Sequence, residues 1–190
     1  MQYLICDPRN RRAESGNCAS DRRKILNLSL VTRTPNFAAP WVRRFAGNWQ
    51  ASGIFTYSSG SWMTITSGVD NPLTGVGSGR PNVSGDWHVA QPTLSQWFNT
   101  AALTKNGPGA YGNAGTSIIP GPYGWNLDGA VWRTFPIREQ VKADLRWEAF
   151  NVLNHARFNN PGTTLSNGNT FGEINSQAPR ILQVALKITF

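Results

Sequence analysis

The chain has 190 residues, 18 Lys+Arg against 10 Asp+Glu for a net charge of +8, and only 15% charged residues. So few charges beside 19 Gly and 12 Pro exclude a coiled coil or helical bundle, and 8 Trp with 9 Phe exclude a charge-rich disordered tail. No apolar run approaches the roughly 18 residues of a membrane-spanning helix, and the basic residues form a cluster over Arg9–Lys24, a pair at Arg43 and Arg44 and scattered singles, so no nucleic-acid partner is expected.

The chain opens on a polar segment that holds both cysteines, Cys6 and Cys18. Their spacing fits no zinc pattern, and a disulfide and two separate thiols are both compatible with it. Met1–Pro8 has neither the basic start nor the apolar run of a signal peptide.

Period-two alternation then predicts five strands. The first lies near 24–33, with Leu26, Leu28 and Leu30 on one face and Asn27 and Ser29 on the other. The second, near 48–66, puts Trp49, Ala51, Gly53, Phe55 and Tyr57 on one side and is expected to run past Gly60 into Met63. A long stretch rich in Gly, Pro and Asn follows, in which Thr93 is placed to cap a short helix over Thr93–Asn99. The third strand lies near 125–135 and the fourth near 141–151. In the fourth, Val141, Ala143, Leu145, Trp147 and Ala149 oppose Lys142, Asp144, Arg146 and Glu148. The fifth, near 181–190, alternates Leu182, Val184, Leu186, Ile188 and Phe190 with polar or small residues.

The connectors alternate between short and very long. A structureless loop of nearly sixty residues is foreign to a compact soluble domain, but outer-membrane barrels pair short periplasmic turns with long extracellular loops. Strands of about 9–11 residues also match a tilted bilayer crossing. Trp49, Tyr57, Trp125, Phe135 and Phe190 fall near strand ends, where aromatic girdles sit. The charges of Lys142, Asp144, Arg146 and Glu148 alternate in sign, which suits a ladder facing a polar lumen. A soluble secreted β-sandwich, binding through the 67–124 loop, gives the same alternation, and the pattern alone leaves both readings open.

No catalytic constellation emerges. His88 and His155 lack a partner at ligand spacing, and Gly107–Gly112 matches a dinucleotide fingerprint by letter but contains Pro and lacks the flanking strand and helix. Asp144 and Glu148, four residues apart on one strand face, are about 13 Å apart, too far for glycosidase chemistry. The chain is expected to be no enzyme and to carry no metal or cofactor.

Sequence resemblance bears on the choice. Gln183-Val-Ala-Leu-Lys-Ile-Thr-Phe190 resembles the C-terminal insertion signal of bacterial outer-membrane barrels, with Gln183, Ala185, Ile188 and Phe190 at its key positions and Ala185 where Gly is usual. Leu145–Asn154 resembles the penultimate-strand motif of TonB-dependent receptors. Asp21–Leu30, Gly47–Ile54, Ser59-Gly60 with Met63–Gly68, and Pro120-Gly-Pro with Asn126–Asp128 are similar, in order, to the Oar-like branch of that family found in Acidobacteria. The resemblance implies an all-β, antiparallel up-and-down transmembrane β-barrel segment in a Gram-negative outer membrane. Residues 1–190 would be one partial domain at the C-terminal end of a receptor taking up a large substrate. Its partners would be outer-membrane lipid and the missing barrel strands and plug, with TonB engaged only through the missing N-terminal part.

Overall fold

The computed structural model describes residues 7, 10, 12, 15–35, 37–75, 78–177 and 179–190. Cys6, and with it any Cys6–Cys18 disulfide, lies outside the described residues; Cys18 is exposed, its thiol held below its ordinary pKa by hydrogen bonds from Ser20.

The chain divides into two units. The first contains Lys24–Ser58, Gly124–Arg157 and Ala178–Phe190. It holds five long strands, β1 (Ile25–Arg33), β2 (Trp49–Ser58), β3 (Gly124–Pro136), β4 (Lys142–Phe150) and β5 (Ile181–Thr189), with one helix, α1 (Pro40–Ala46), between β1 and β2. Every pairing is antiparallel and the order along the sheet is the order along the chain, an up-and-down meander. Among the described residues β1 and β5 do not pair, so the sheet is open rather than a closed barrel. The β3–β4 turn is tight: the amides of Ile137 and Arg138 both donate to the Val141 carbonyl, at 2.9 and 3.1 Å.

β2 stops at Ser58, short of the expected run to 66. The reason is competition for the backbone. Trp62–Met63 pairs instead with Ile119–Pro120, Ser67 donates to the Gly79 carbonyl, and Thr66 exchanges hydrogen bonds with the 163–165 segment. These contacts belong to the second unit, Met1–Arg23, Ser59–Tyr123 and Phe158–Gln177, in which the two long loops fold together.

That loop unit has its own core of Ile65, Phe98, Leu103, Ile119 and Phe171, with Met63, Val83, Trp87, Trp97, Ile118 and Leu165 packed around it. Phe98 and Phe171, one from each loop, meet edge to face at 5.2 Å. The helix expected over 93–99 is absent. Thr93 Oγ1 does accept the Gln96 amide at 3.1 Å, but the Trp97 amide donates to the Gly172 carbonyl, which leaves no helical ladder to propagate. A single 3₁₀ turn, Thr100–Ala102, capped by the Asn99 side chain, forms one residue later. Gly112 lies in this loop against the Arg80 and Pro81 carbonyls, where a Cβ would come within 2.0 Å of the first. It is a packing glycine.

Candidate functional site: a two-faced membrane wall

The register fixes which residues share a face, because directly opposed residues in adjacent strands point the same way. Leu182, Val184, Leu186 and Ile188 of β5 stand opposite Ala149, Trp147, Leu145 and Ala143 of β4. Ala149, Trp147 and Ala143 in turn face Gly129, Val131 and Phe135 of β3. Gly129, Leu127 and Trp125 face Gly53, Phe55 and Tyr57 of β2, and these face Leu30, Leu28 and Leu26 of β1. One side of the sheet is therefore apolar from edge to edge, apart from Thr32 and Arg133.

The opposite side carries Asn27, Ser29 and Arg33; Gln50, Ser52 and Thr56; Asn126, Asp128 and Thr134; Lys142, Asp144, Arg146 and Glu148; and Gln183 and Lys187. The four charged residues of β4 share this face, and their contacts are these. Arg146 pairs with Glu148 on its own strand at 2.6 Å and lies over the Trp132 ring at 5.4 Å. Asp144 accepts from Thr134 Oγ1 at 2.5 Å. Lys187 stands opposite Asp144 in register, with no ion pair between them among the described residues.

Of the terminal motif, Ile188 and Phe190 belong to the apolar period while Gln183 and Ala185 belong to the polar one. Phe190 follows the last ladder pair, Thr189 with Lys142, and is 91% exposed.

The apolar face is unlike the face of a soluble sheet. Leu28, Leu30, Leu182, Val184 and Leu186 are more than half exposed, and within this unit no second layer covers them among the described residues. Burying one such side chain is worth about 1.5–3 kcal/mol, so a row of them is stable against hydrocarbon and costly against water. Strands of nine or ten residues rise roughly 30 Å, which at a tilt of about 40° spans about 23 Å, close to the apolar band of an outer-membrane barrel.

Two side-chain networks pin the ends of this wall. Where β4 leaves the sheet, Asn151 and Asn154 take left-handed φ of 56° and 51°, which Asn tolerates better than most residues. Asn151 is buried; its Nδ2 donates to the His155 carbonyl and its Oδ1 accepts the His155 amide, both at 2.8 Å. Asp128 Oδ1 accepts both the Asn151 amide at 2.8 Å and Asn126 Nδ2 at 2.7 Å, and the His155 ring rests on Trp125 at 3.8 Å. The two asparagines of the penultimate-strand motif are thus turn formers, and Asp128, which the sequence reading quoted only within the Asn126–Asp128 segment, is the anchor that holds the turn to β3.

At the other end, Arg133 is the one charge on the apolar face. Its guanidinium donates to the Phe45 carbonyl at 3.0 Å and to the Arg44 carbonyl, closing the C-terminal end of α1, and lies over the Trp49 and Phe135 rings at 5.4 and 4.8 Å. Trp49 Nε1 donates to the Phe45 carbonyl as well, at 2.9 Å. The helix carbonyls thereby satisfy both terminal nitrogens of a cation on an apolar surface, while its buried Nε has no partner among the described residues. Nothing in the alternation pattern signals this contact, since α1 falls in a connector.

The loop unit holds two carboxylate turns. Asp70 accepts from the Thr74 amide and hydroxyl and the Gly75 amide; desolvation pulls its pKa upward, but these donors together outweigh it and hold the carboxyl below its ordinary value. Asp86 is lowered by the backbone amide of His88, then by its ring at 2.6 Å. The His88 ring also stacks on Trp87 at 3.6 Å. Among the described residues no group of three or more His, Cys, Asp or Glu side chains converges on a metal-sized site, and no helix is long and apolar enough to cross a membrane.

An antiparallel sheet that is apolar on one side and mostly polar on the other, where Ile25, Val31, Ile54, Trp132, Phe150 and Ile181 also stand, open at both edges among the described residues and joined by alternating short and long connectors, is the architecture of a transmembrane β-barrel wall. The family comparison agrees. The model of the Outer membrane beta barrel domain matches residues 2–183, nearly the whole chain, and the protein belongs to that family, which places it in the bacterial outer membrane. No curated protein and no solved structure matches the chain.

Proposed function

We propose that the chain forms part of the wall and outer loops of an Oar-like TonB-dependent receptor in a Gram-negative outer membrane, and that it serves uptake of a large substrate rather than catalysis. The observation that carries this reading is the edge-to-edge apolar face set against the Lys142, Asp144, Arg146 and Glu148 side, together with the ordered motifs that resemble that branch. The unpaired outer edges of β1 and β5 support the need for further strands, since each unsatisfied backbone group in hydrocarbon costs several kcal/mol. The 59–123 and 151–180 connectors, which leave the sheet at the end opposite the 137–141 turn, are then extracellular.

The decisive experiment is crosslinking in living cells, followed by purification, from detergent-solubilised outer membranes, of the whole receptor that carries this chain together with its N-terminal part. Co-recovery of TonB is expected. A barrel recovered repeatedly without TonB would overturn the receptor assignment and leave a TonB-independent pore or anchor. The alternative of a soluble sandwich would need a second sheet over the apolar face, and no observation favours it.

A further inference from the structure

The connector between β1 and β2 sits at the short-turn end of the sheet, where a two-to-five-residue turn is the usual solution. It is instead about fifteen residues long and contains a helix. The side chains of α1 divide by angle around its axis, at 100° per residue. Trp41 and Phe45, four apart, form one face and are each 72% exposed. Val42 and Ala46, also four apart, form the half-buried face. Arg43 lies opposite the aromatic pair and Arg44 on its flank, both exposed.

The helix is fixed at a definite level. Arg133, Trp49 and Phe135 project from the apolar face near its short-turn end, and Arg133 and Trp49 both donate to the last carbonyls of α1. Gly47 ends the helix in a space that excludes any larger residue, since a Cβ there would lie 2.4 Å from the Arg43 carbonyl oxygen. The C-terminal end of α1 is thus held over the rim of the apolar face rather than free in a loop. Exposed aromatic rings at that level, beside a pair of guanidinium groups, match a boundary with hydrocarbon on one side and anionic groups on the other.

We propose that α1 is an interfacial helix that docks on the phospholipid leaflet at the short-turn end of the wall. Trp41 and Phe45 enter the acyl boundary, and Arg43 and Arg44 bind the phosphates of anionic headgroups. This rests on the membrane-wall reading above, but adds a specific lipid-binding surface to it. A single surface arginine near an anionic membrane changes partition by roughly fivefold, so the pair gives the helix a clear headgroup preference.

Photocrosslinking separates the two claims. The polypeptide as its host makes it is produced with p-benzoylphenylalanine at position 41, 28 or 27, then reconstituted in vesicles of equal parts phosphatidylcholine and phosphatidylglycerol. Position 28 lies on the apolar face and position 27 on the polar one. Lipid adducts on the peptide carrying position 28, and none at 27, are expected from the wall itself; their absence at 28 would overturn the membrane reading. Adducts at position 41, enriched several-fold in phosphatidylglycerol, are expected from the helix. Lipid at 28 with none at 41 would overturn the helix proposal while leaving the wall intact. In an Arg43→Gln/Arg44→Gln background the adduct ratio at 41 should fall to the bulk composition, and enrichment that survives would remove the arginines from the interaction.

Discussion

At the scale of single residues, the side chains that matter most are those that complete backbone hydrogen bonding where strands end. Asn151 combines a left-handed φ with two side-chain bonds to His155, so its two contributions are separable by substitution. Asn151→Gly keeps the backbone conformation and loses the bonds, while Asn151→Ala loses both. Each lost bond to a buried group costs about 1–3 kcal/mol. Trypsin cleavage at Arg157 in detergent-solubilised protein should therefore accelerate in both variants, and more in the alanine. Wild-type cleavage in Asn151→Gly would mean that φ alone decides the turn. Arg133 offers a different test. Arg133→Leu removes the donor to the α1 carbonyls but makes the apolar face more uniform, so membrane insertion should survive while trypsin cleavage after Arg43 and Arg44 speeds up. The Asp70 turn should respond to acid. Its carboxyl is held below the ordinary 3.8, so its contribution is fully present above that pH and disappears as pH falls through the lower folded-state value. The amide proton shifts of Thr74 and Gly75 should move upfield together below pH ~3.8, and shifts that stay constant to pH ~2 would show that the carboxylate does not hold the turn.

At the scale of the element, β5 shows what the period-two rule governs. Leu186 faces Leu145 on the apolar side, and its neighbour Lys187 faces Asp144 on the polar side. A cation in the middle of a lipid-facing strand costs about 2–4 kcal/mol. Leu186→Arg should therefore impair outer-membrane assembly strongly, while Lys187→Ala changes little. Equal assembly of the two, measured as heat-modifiable protein in membrane fractions, would invert the assignment of the faces. Phe190 is 91% exposed beyond the last ladder pair, and if the terminal motif acts as the insertion signal it resembles, deleting Phe190 should lower assembly without lowering synthesis.

For the whole molecule, the distribution of buried residues is the informative quantity. The large buried side chains, Phe98, Ile65 and Ile119, are in the loop unit, while in the sheet the buried apolar residues are the small Ala130 and Ala143. The sheet therefore depends on its surroundings for stability and the loops do not. Purified protein should require detergent to remain dispersed, and limited proteolysis should leave the 59–123 and 158–177 segments associated after the sheet is cut. A monomer that is soluble and unfolds cooperatively in plain buffer would contradict the wall assignment.

The sequence by itself determined the two-faced strands. Alternation is a local property of the backbone, and a period of two places Leu28 and Asn27, or Leu145 and Asp144, on opposite sides whatever the partners are. It also determined the rhythm of short and long connectors. Tertiary structure decided the rest, for one reason: each such feature depends on a partner distant in the chain. The sequence places Thr93 to cap a helix; its hydroxyl does accept the Gln96 amide, but the Gly172 carbonyl takes the next amide and no helix forms. Met63 carries a strand-like pattern, yet Ile119 captures it for the loop unit. Asp128 reads as one polar strand position until Asn151 arrives at its carboxylate, and Arg133 reads as an error in the apolar face until α1 brings its carbonyls to the guanidinium. Periodicity assigns a side chain to a face, but only the folded chain supplies what that side chain meets there.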